Sequence, residues 1–407
     1  VRVLICGAGI GGLTTALALH QHNIEVRIFE SADSMRALGV GINLLPHAVR
    51  VLTNLGLAAE LAQTAIPTAE LAYYTKRGER IWSEPRGLAA GYRWPQYSIH
   101  RGRLLELLWR AVTARLGPHA IQTAHHLQSF DNDTNQVTAH FHNRHTNTPQ
   151  PPQSDDILIG ADGIHSVARH ILYPNEGDPK FSGRLLWRAV SAAPPFLTGR
   201  SMIMAGHADQ KFVCYPIDHG LINWIAERNL GANAHLPRRN WNRLGDKSSF
   251  APEFESWRFP FLDVPALIAS AHEVYEFPMV DRDPVPQWSF NRVTLLGDAA
   301  HPMYPIGSNG ASQAILDADA LATALTQHPN PIEALQTYEA ARLAPTAQIV
   351  HSNRQHGPEV VMQIVEERAP NGFENLHDVI AQSELESIAQ SYKRTAGFDR
   401  DTLNQSK

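Results

Sequence analysis

Val3-Leu4-Ile5-Cys6-Gly7-Ala8-Gly9-Ile10-Gly11-Gly12-Leu13 opens the chain with a short apolar run that breaks into glycines and resumes at helical spacing. A continuous apolar run over Val1–Cys6 suits a parallel strand covered on both faces, and Leu13–Gln21 carries apolar residues at the period of a helix. Val26–Glu30 is a second β-rich run. Strand, turn, helix and strand thus follow within about thirty residues, the order of a mononucleotide-binding unit. Gly7 permits the tight turn, Gly9 leaves room for a pyrophosphate to reach the backbone, and Gly12 lets helix and strand pack closely. The helix start, with Ile10 and Gly11, offers unpaired N–H groups and a positive dipole end to phosphates. Glu30 ends the second strand, where a carboxylate accepts hydrogen bonds from ribose hydroxyls and disfavours a 2′-phosphate. The hexapeptide alone is a weak signal; its place between strand and helix, with Glu30 following, makes it a dinucleotide site.

The remaining chain reads as more than one unit, since 407 residues exceed what a single core usually fills. Pro46–Leu55 and Arg101–Leu116 have amphipathic spacing and stop at Gly56 and at Gly117-Pro118. Ile121–Phe141 alternates as antiparallel strands do, whereas Asn143–Asp156, with three prolines, reads as an exposed hairpin tip or insert. Ile157–Gly160 and Val293–Leu296 are buried-strand runs. Leu185–Glu227 is strand-rich and aromatic, with Trp187, Phe212, Tyr215 and Trp224, and suits the sheet of a second domain. Pro237–Phe261 is irregular, and Ala311–Thr326 is a helix. The chain after Pro331 is mostly helical, and roughly its last dozen residues are expected to fray.

Composition excludes several classes. A net charge of −5 without a basic run argues against a nucleic-acid partner. The 21 histidines are scattered, and no H-x-x-x-H or C-x-x-C pair suggests a metal. Cys6 reads as a small buried hydrophobe, and two cysteines make no disulfide framework, which suits a reducing, cytoplasmic setting. The chain starts directly on a strand, so no leader segment is expected. No apolar run approaches the ~20 residues needed to span a bilayer.

Two further segments carry chemistry. Val293-Thr294-Leu295-Leu296-Gly297-Asp298 puts a carboxylate at the end of a buried strand, where ligands of α/β sheets bind. Pro305-Ile306-Gly307-Ser308-Asn309-Gly310-Ala311 then opens a helix and can again present N–H groups to a ligand. Ile157-Leu158-Ile159-Gly160-Ala161-Asp162-Gly163 is a second strand-to-turn, with Ser166 and Arg169 following. From the residues alone, Asp162 is as well explained by a turn or helix cap.

In this order and spacing the three segments resemble those of the flavoprotein aromatic hydroxylases, the single-component class A flavin monooxygenases. Leu38–Asn43, Thr64–Thr68, Trp82–Gly87, Pro95–Gly102, Pro278–Pro284 and Gly307–Asp317 bring the chain nearest to their phenazine hydroxylase subgroup. The resemblance implies an α/β chain: a Rossmann-like FAD-binding domain, a mostly antiparallel substrate domain and a C-terminal helical region. The expected segments are 1–72, 98–178 and 276–350; 73–97 and 179–275; and 351–407. It also implies FAD, with NADH or NADPH as transient reductant. Gly7–Gly12 and Glu30 hold ADP, Gly297-Asp298 the ribityl chain, and Asp162-Gly163 the pyrophosphate. Arg36, Gly41, Arg101, Pro305, Gly307, Asn309, Gly310 and Ala311 complete the cofactor set. The turn departs from the family's commoner Gly-Gln-Gly by reading Gly307-Ser308-Asn309-Gly310. Asn23 stands where a glycine often ends the first helix; asparagine tolerates that conformation.

The implied reaction is reduction of FAD by NAD(P)H, addition of O2, and delivery of one oxygen by the C4a-hydroperoxide to an aromatic ring, with decarboxylation where a carboxylate sits on the attacked carbon. Such chemistry needs an apolar, water-poor pocket, expected between Leu185–Ile225 and Pro305–Ala311. Met204, Tyr215, Trp224 and Tyr304 are the substrate candidates. Arg188 or Lys211 would pair with a substrate carboxylate, with nothing yet to choose between them. No acid–base residue is forced, and His301 reads as packing more than catalysis. A halogenase would carry Trp-x-Trp-x-Ile-Pro, which is absent; a plain dehydrogenase has no need of the Asp162 and Asp298 segments, and a flavin-binding sensor would not turn over. The expected partner is a small aromatic molecule, with a homodimer left open.

Overall fold

The computed structural model describes residues 1–35, 39–231, 234 and 243–405, and the glycine-turn unit lies at the middle of a five-stranded parallel sheet. Arg2–Cys6 pairs with Glu25–Phe29 on one side and Ile157–Gly160 on the other. Val293–Leu295 and Ile121–Gln122 form the edges. Val3, Leu4, Ile5, Ile157, Leu158 and Ile159 are fully buried, because the parallel sheet is covered on both faces, by helices and by the strand residues Val137, Ala139 and Phe141, and has no polar side. The helices Ile10–Gln21 and Gly310–Gln327 pack on each other. Three distant stretches of chain therefore end their strands on one edge, bringing Gly7, Ala161 and Leu296 together.

A second sheet has eight strands. Its order is Arg243–Leu244, Tyr275–Asp281, Lys180–Ala192, Leu221–Asn229, Gln210–Asp218, Ser201–Gly206, Glu70–Tyr74 and Arg80–Pro85. All neighbours are antiparallel except Ser201–Gly206 with Glu70–Tyr74. One face carries Trp187, Ile203, Phe212, Cys214 and Trp224 into an apolar core with Phe250, Phe254 and Trp257. The other face carries the alternate residues, as a two-residue side-chain period requires. Glu70–Tyr74 and Tyr275–Asp281 lie wholly in this sheet, so the breaks expected after residues 72 and 275 fall inside strands. An apolar run does not reveal which of two sheets it joins.

Two expectations need correction. Asn143–Asp156 is not only a hairpin tip, since Gln153–Asp155 adds a third strand beside Val137–His142. Asp155 is buried there and takes Arg27 Nη2 at 2.6 Å. Nor does the C-terminal tail fray over its described residues, which end at 405. Arg400–Gln405 is helical, Phe398 and Leu403 are buried, and Tyr92 Oη donates to the Phe398 carbonyl at 2.7 Å. Two apolar residues in a polar stretch suffice to dock it. Of the irregular Pro237–Phe261 segment, residues 237–242 lie outside the described residues, and the rest forms short turns that bury Phe250, Phe254 and Trp257.

Candidate active site

A cleft of about 360 Å³ runs from the glycine turn to the eight-stranded sheet, within the range of about 300–1,000 Å³ common for small-molecule sites. At one end Gly9, Ile10 and Gly11 line it. A Cβ on Gly9 would meet nothing within 4 Å, whereas one on Gly12 would sit 2.0 Å from the Gly7 carbonyl oxygen. The first glycine thus leaves space for a ligand and the second allows helix and strand to touch. Gly7, at φ +107°, makes the turn and lies behind the cleft against Ala161. The helix Ile10–Gln21 has no side-chain cap, and neither has Gly310–Gln327. Both helix starts open onto the same cleft, so two sets of N–H groups and two positive dipole ends face one space. This is a cradle for a phosphate-bearing, carbonyl-rich ligand. Glu30 is fastened beside it, accepting from Ala8 N and Ala32 N at 2.8 Å each.

Two strand-end aspartates, Asp162 and Asp298, look alike in sequence and differ in structure, and a third, Asp317, lies on the helix Gly310–Gln327. Asp162 accepts from Ser166 Oγ at 2.5 Å, Val167 N at 2.7 Å and Ala168 N at 3.3 Å. It caps the helix Val167–Leu172 and is not among the cleft-lining side chains; its neighbours Ala161 and Gly163 are. Asp317 is fully buried and accepts from Gly297 N at 3.0 Å, His301 Nε2 at 2.6 Å and Arg342 Nε at 2.7 Å. Burial opposes its charge, but His301 and Arg342 together hold its pKa down at about 2. Asp298 lines the cleft, and its carboxylate takes no hydrogen bond among the described residues. Its side chain is exposed in the cleft, and the surrounding protein raises its pKa against the pull of His301 and Arg101. A carboxylate facing the cleft with free lone pairs is an acceptor for hydroxyl donors.

Gly41 and Arg101 line the middle of the cleft, as do Pro305, Asn309, Gly310 and Ala311. Gly307 does not; it faces the C-terminal helix. Arg36 lies outside the described residues. The eight-stranded sheet contributes Leu186, Arg188, Met202, Met204, Val213, Tyr215 and Ile225, and Met279 and Met303 join them. Met204 and Tyr215 therefore line the cleft. Trp224 does not: it points to the opposite face, stacks on Phe212 and donates from Nε1 to Ser191 Oγ at 2.9 Å. Its neighbour Ile225 faces the cleft instead. Tyr304 packs behind the wall with Leu186, Met279 and Ile306, while Met303 reaches the cleft. His301 packs at 3% exposure between Asp317 and the Trp288 ring.

The two candidate cations separate clearly. Lys211 Nζ lies 2.8 Å from Glu227 and 2.5 Å from Glu359, and these carboxylates outweigh burial to keep it protonated. Arg188 Nη2 donates to the Gly41 carbonyl at 2.9 Å, and the Tyr215 phenol lies near its guanidinium. No carboxylate among the described residues pairs with Arg188, and its Nε has no partner. Burial pushes the Tyr215 phenol up to about 12, so it stays a neutral donor beside the guanidinium.

Several supporting residues escape sequence reading. Asn223 Oδ1 accepts from Gly41 N at 2.6 Å, and a Cβ on Gly41 would meet Asn223 at 2.6 Å. Arg169 is buried and donates to the Ala299 and Ala300 carbonyls at 3.0 and 2.7 Å, bracing the turn after Asp298 from behind. No local pattern marks Asn223, and although Arg169 follows the Asp162-Gly163 turn in sequence, its carbonyl partners lie 130 and 131 residues away.

Residues 1–353 match the FAD binding domain family, and the chain belongs to it. It is an FAD-dependent monooxygenase of the aromatic hydroxylase class, for which NAD(P)H is the typical reductant. Phenazine 1,6-dicarboxylic acid hydroxylase PhzS of Lysobacter antibioticus is 45% identical over 361 residues, covering 86% of this chain and 89% of the relative. 3-Hydroxybenzoate 6-hydroxylase 1 of Aquipseudomonas alcaligenes is 32% identical over 358 residues, covering 86% of each. The structure of Klebsiella pneumoniae HpxO with FAD and uric acid shares the fold, with a TM-score of 0.76 over 95% of this chain and 96% of that one, at 23% identity. Among the described residues no helix is long and apolar enough to cross a membrane, and no His, Cys, Asp or Glu group is arranged to hold a metal ion.

Proposed function

We propose that this enzyme hydroxylates an aromatic carboxylate seated between the Pro305–Ala311 turn and the eight-stranded sheet, with the carboxylate on Arg188 and Tyr215. The parallel sheet is then the cofactor-binding unit and the eight-stranded sheet the substrate-binding unit. The observation that carries the reading is the guanidinium of Arg188, with no carboxylate partner among the described residues, beside Met202, Met204, Val213 and Ile225 in a cleft whose other sheet cation, Lys211, is already paired with Glu227 and Glu359. An enclosed cation without a counter-ion is costly unless a ligand supplies one. The two relatives described above act, by name, on aromatic acids.

Gly7–Gly12 and Glu30 hold the ADP portion of FAD, Asp298 accepts from the ribityl hydroxyls, and Ala161 and Gly163 border the pyrophosphate. Gly41 and Arg101 flank the flavin. When bound, FAD supplies the reducing equivalents taken from NAD(P)H and the activation of O2. Backbone N–H groups at the start of Gly310–Gln327 stabilise negative charge on the ring. The methionine and aliphatic wall keeps water from the reacting carbon. Arg188 and Tyr215 orient the substrate so that one ring position faces the flavin.

An aromatic acid and its carboxamide, compared on wild type and Arg188→Gln, test the reading. Truncating one partner of an enclosed charge pair costs about 2–5 kcal/mol, roughly 30- to 5,000-fold in Kd. The acid is expected to weaken by that factor while the carboxamide and FAD are retained equally. Equal acid binding by both proteins would exclude Arg188 as the carboxylate's partner.

A further inference from the structure

The helix Gln382–Thr395 lies beyond the segment that matches the family, yet one of its side chains reaches the turn at the cleft. The Tyr392 hydroxyl accepts from Asn309 Nδ2 at 2.7 Å, and lies 2.9 Å from Asn353 Oδ1 and 3.2 Å from the Ile306 carbonyl oxygen as acceptors. Asn353 Nδ2 in turn donates to the Tyr304 carbonyl at 3.0 Å. The phenol ring occupies a slot cleared by two glycines. A Cβ on Gly307 would sit 1.9 Å from the Tyr392 hydroxyl, and one on Gly357 would sit 2.9 Å from its ring.

The turn so held is unusual in its backbone. Gly307 has φ +67° and Ser308 φ +58°, consecutive left-handed residues of which the second is not glycine. A non-glycine residue in that region is disfavoured and persists only where its surroundings determine it. Asn309, next in the chain, is fully buried and begins the uncapped helix whose first N–H groups open on the cleft.

We propose that Tyr392 is a positioning residue for FAD, tying Ile306, Asn309 and Asn353 together so that the left-handed turn presents the start of Gly310–Gln327 to the flavin. This rests on the reading that the Pro305–Ala311 turn meets the flavin. Asn309 is held from two sides of its amide, since Gln313 Nε2 also approaches its Oδ1 at 3.3 Å. Gln313 Nε2 further donates to the Ala396 carbonyl at 3.1 Å, a second tie to the C-terminal segment.

Tyr392→Phe keeps the ring in its slot and removes only the hydroxyl. The expected result is a shifted visible absorbance spectrum of the bound flavin and an FAD Kd higher by about five- to tenfold, the part of the lost hydrogen bonding that reaches the cofactor being on the scale of one bond. A merely structural role would lower the melting temperature of apoprotein and holoprotein equally, with spectrum and FAD Kd unchanged, and would overturn the proposal. Asn309→Ala serves as the control. If it shifts the spectrum and Tyr392→Phe does not, the role of Tyr392 alone fails; if neither does, the placement of the flavin at this turn fails with it. Should Tyr392→Phe not fold, Asn353→Ser loosens the same hydroxyl with the ring in place and is read by the same two measurements.

Discussion

Replacing Asp298 by alanine should weaken cofactor binding while leaving the apoprotein about as stable as before. Its carboxylate accepts no hydrogen bond among the described residues, is exposed in the cleft, and has a pKa raised chiefly by desolvation. For an acid whose folded pKa lies above the ordinary 3.8, folding favours the protonated form. Its stabilising contribution is therefore complete below 3.8 and is lost as pH rises through the folded value. Because the carboxylate is solvated in the cleft, that loss is small, and Asp298→Ala should melt at about the same temperature as wild-type apoprotein. FAD loses a charged acceptor for its hydroxyls, worth about 1.5–3 kcal/mol, or roughly 10- to 150-fold in Kd. Titrating apoprotein with FAD by flavin fluorescence gives the affinity, and apoprotein melts in mildly acidic and mildly alkaline buffer give the stability. Asp162→Asn is the contrast: it weakens three capping bonds and should destabilise the apoprotein. An Asp298→Ala protein that melts lower and binds FAD as wild type does would refute the reasoning.

Asp317→Asn should destabilise the fold by about 3–5 kcal/mol, since Arg342 and His301 lose their shared carboxylate. With its pKa held at about 2 against an ordinary 3.8, the contribution of Asp317 is present above 3.8 and lost as pH falls through about 2. The urea midpoints of wild type and variant should therefore converge in acid. Trp224→Phe should cost about 1–3 kcal/mol through lost volume and the lost bond to Ser191, with KM for the aromatic acid unchanged. Gly12→Ala places a Cβ 2.0 Å from the Gly7 carbonyl oxygen, and the purified protein should carry no yellow cofactor.

The parallel sheet was legible because each of its main strands is a continuous apolar run, and because a glycine turn, Gly-Asp or Asp-Gly follows it. Those local signals mark the ends of strands, where the ligand edge must lie. The eight-stranded sheet was legible as a region but not face by face. Trp224 and Tyr215 are both aromatic strand residues, and only register with neighbouring strands decides that one enters the core and the other the cleft. Choosing Arg188 over Lys211 required Glu359, which lies 148 residues from Lys211. Asp162 and Asp298 share a strand-end setting, and what separates them is the Ser166 hydroxyl and helix N–H groups that satisfy the first. The Tyr392 contact was hidden for the same reason, since its partners Asn309 and Asn353 lie 83 and 39 residues away.

Delivery of one atom of O2 to an aromatic acid held by Arg188 is tested by supplying oxygen-18 gas, NAD(P)H and a panel of phenazine, hydroxybenzoate and quinoline carboxylates to the holoenzyme and analysing products by mass. At least one acid should stimulate NAD(P)H oxidation and gain a single labelled oxygen on its ring, and Arg188→Gln should lose this product while retaining FAD. Label found only in water or hydrogen peroxide with every acid, or an acid product formed equally by Arg188→Gln, would contradict it.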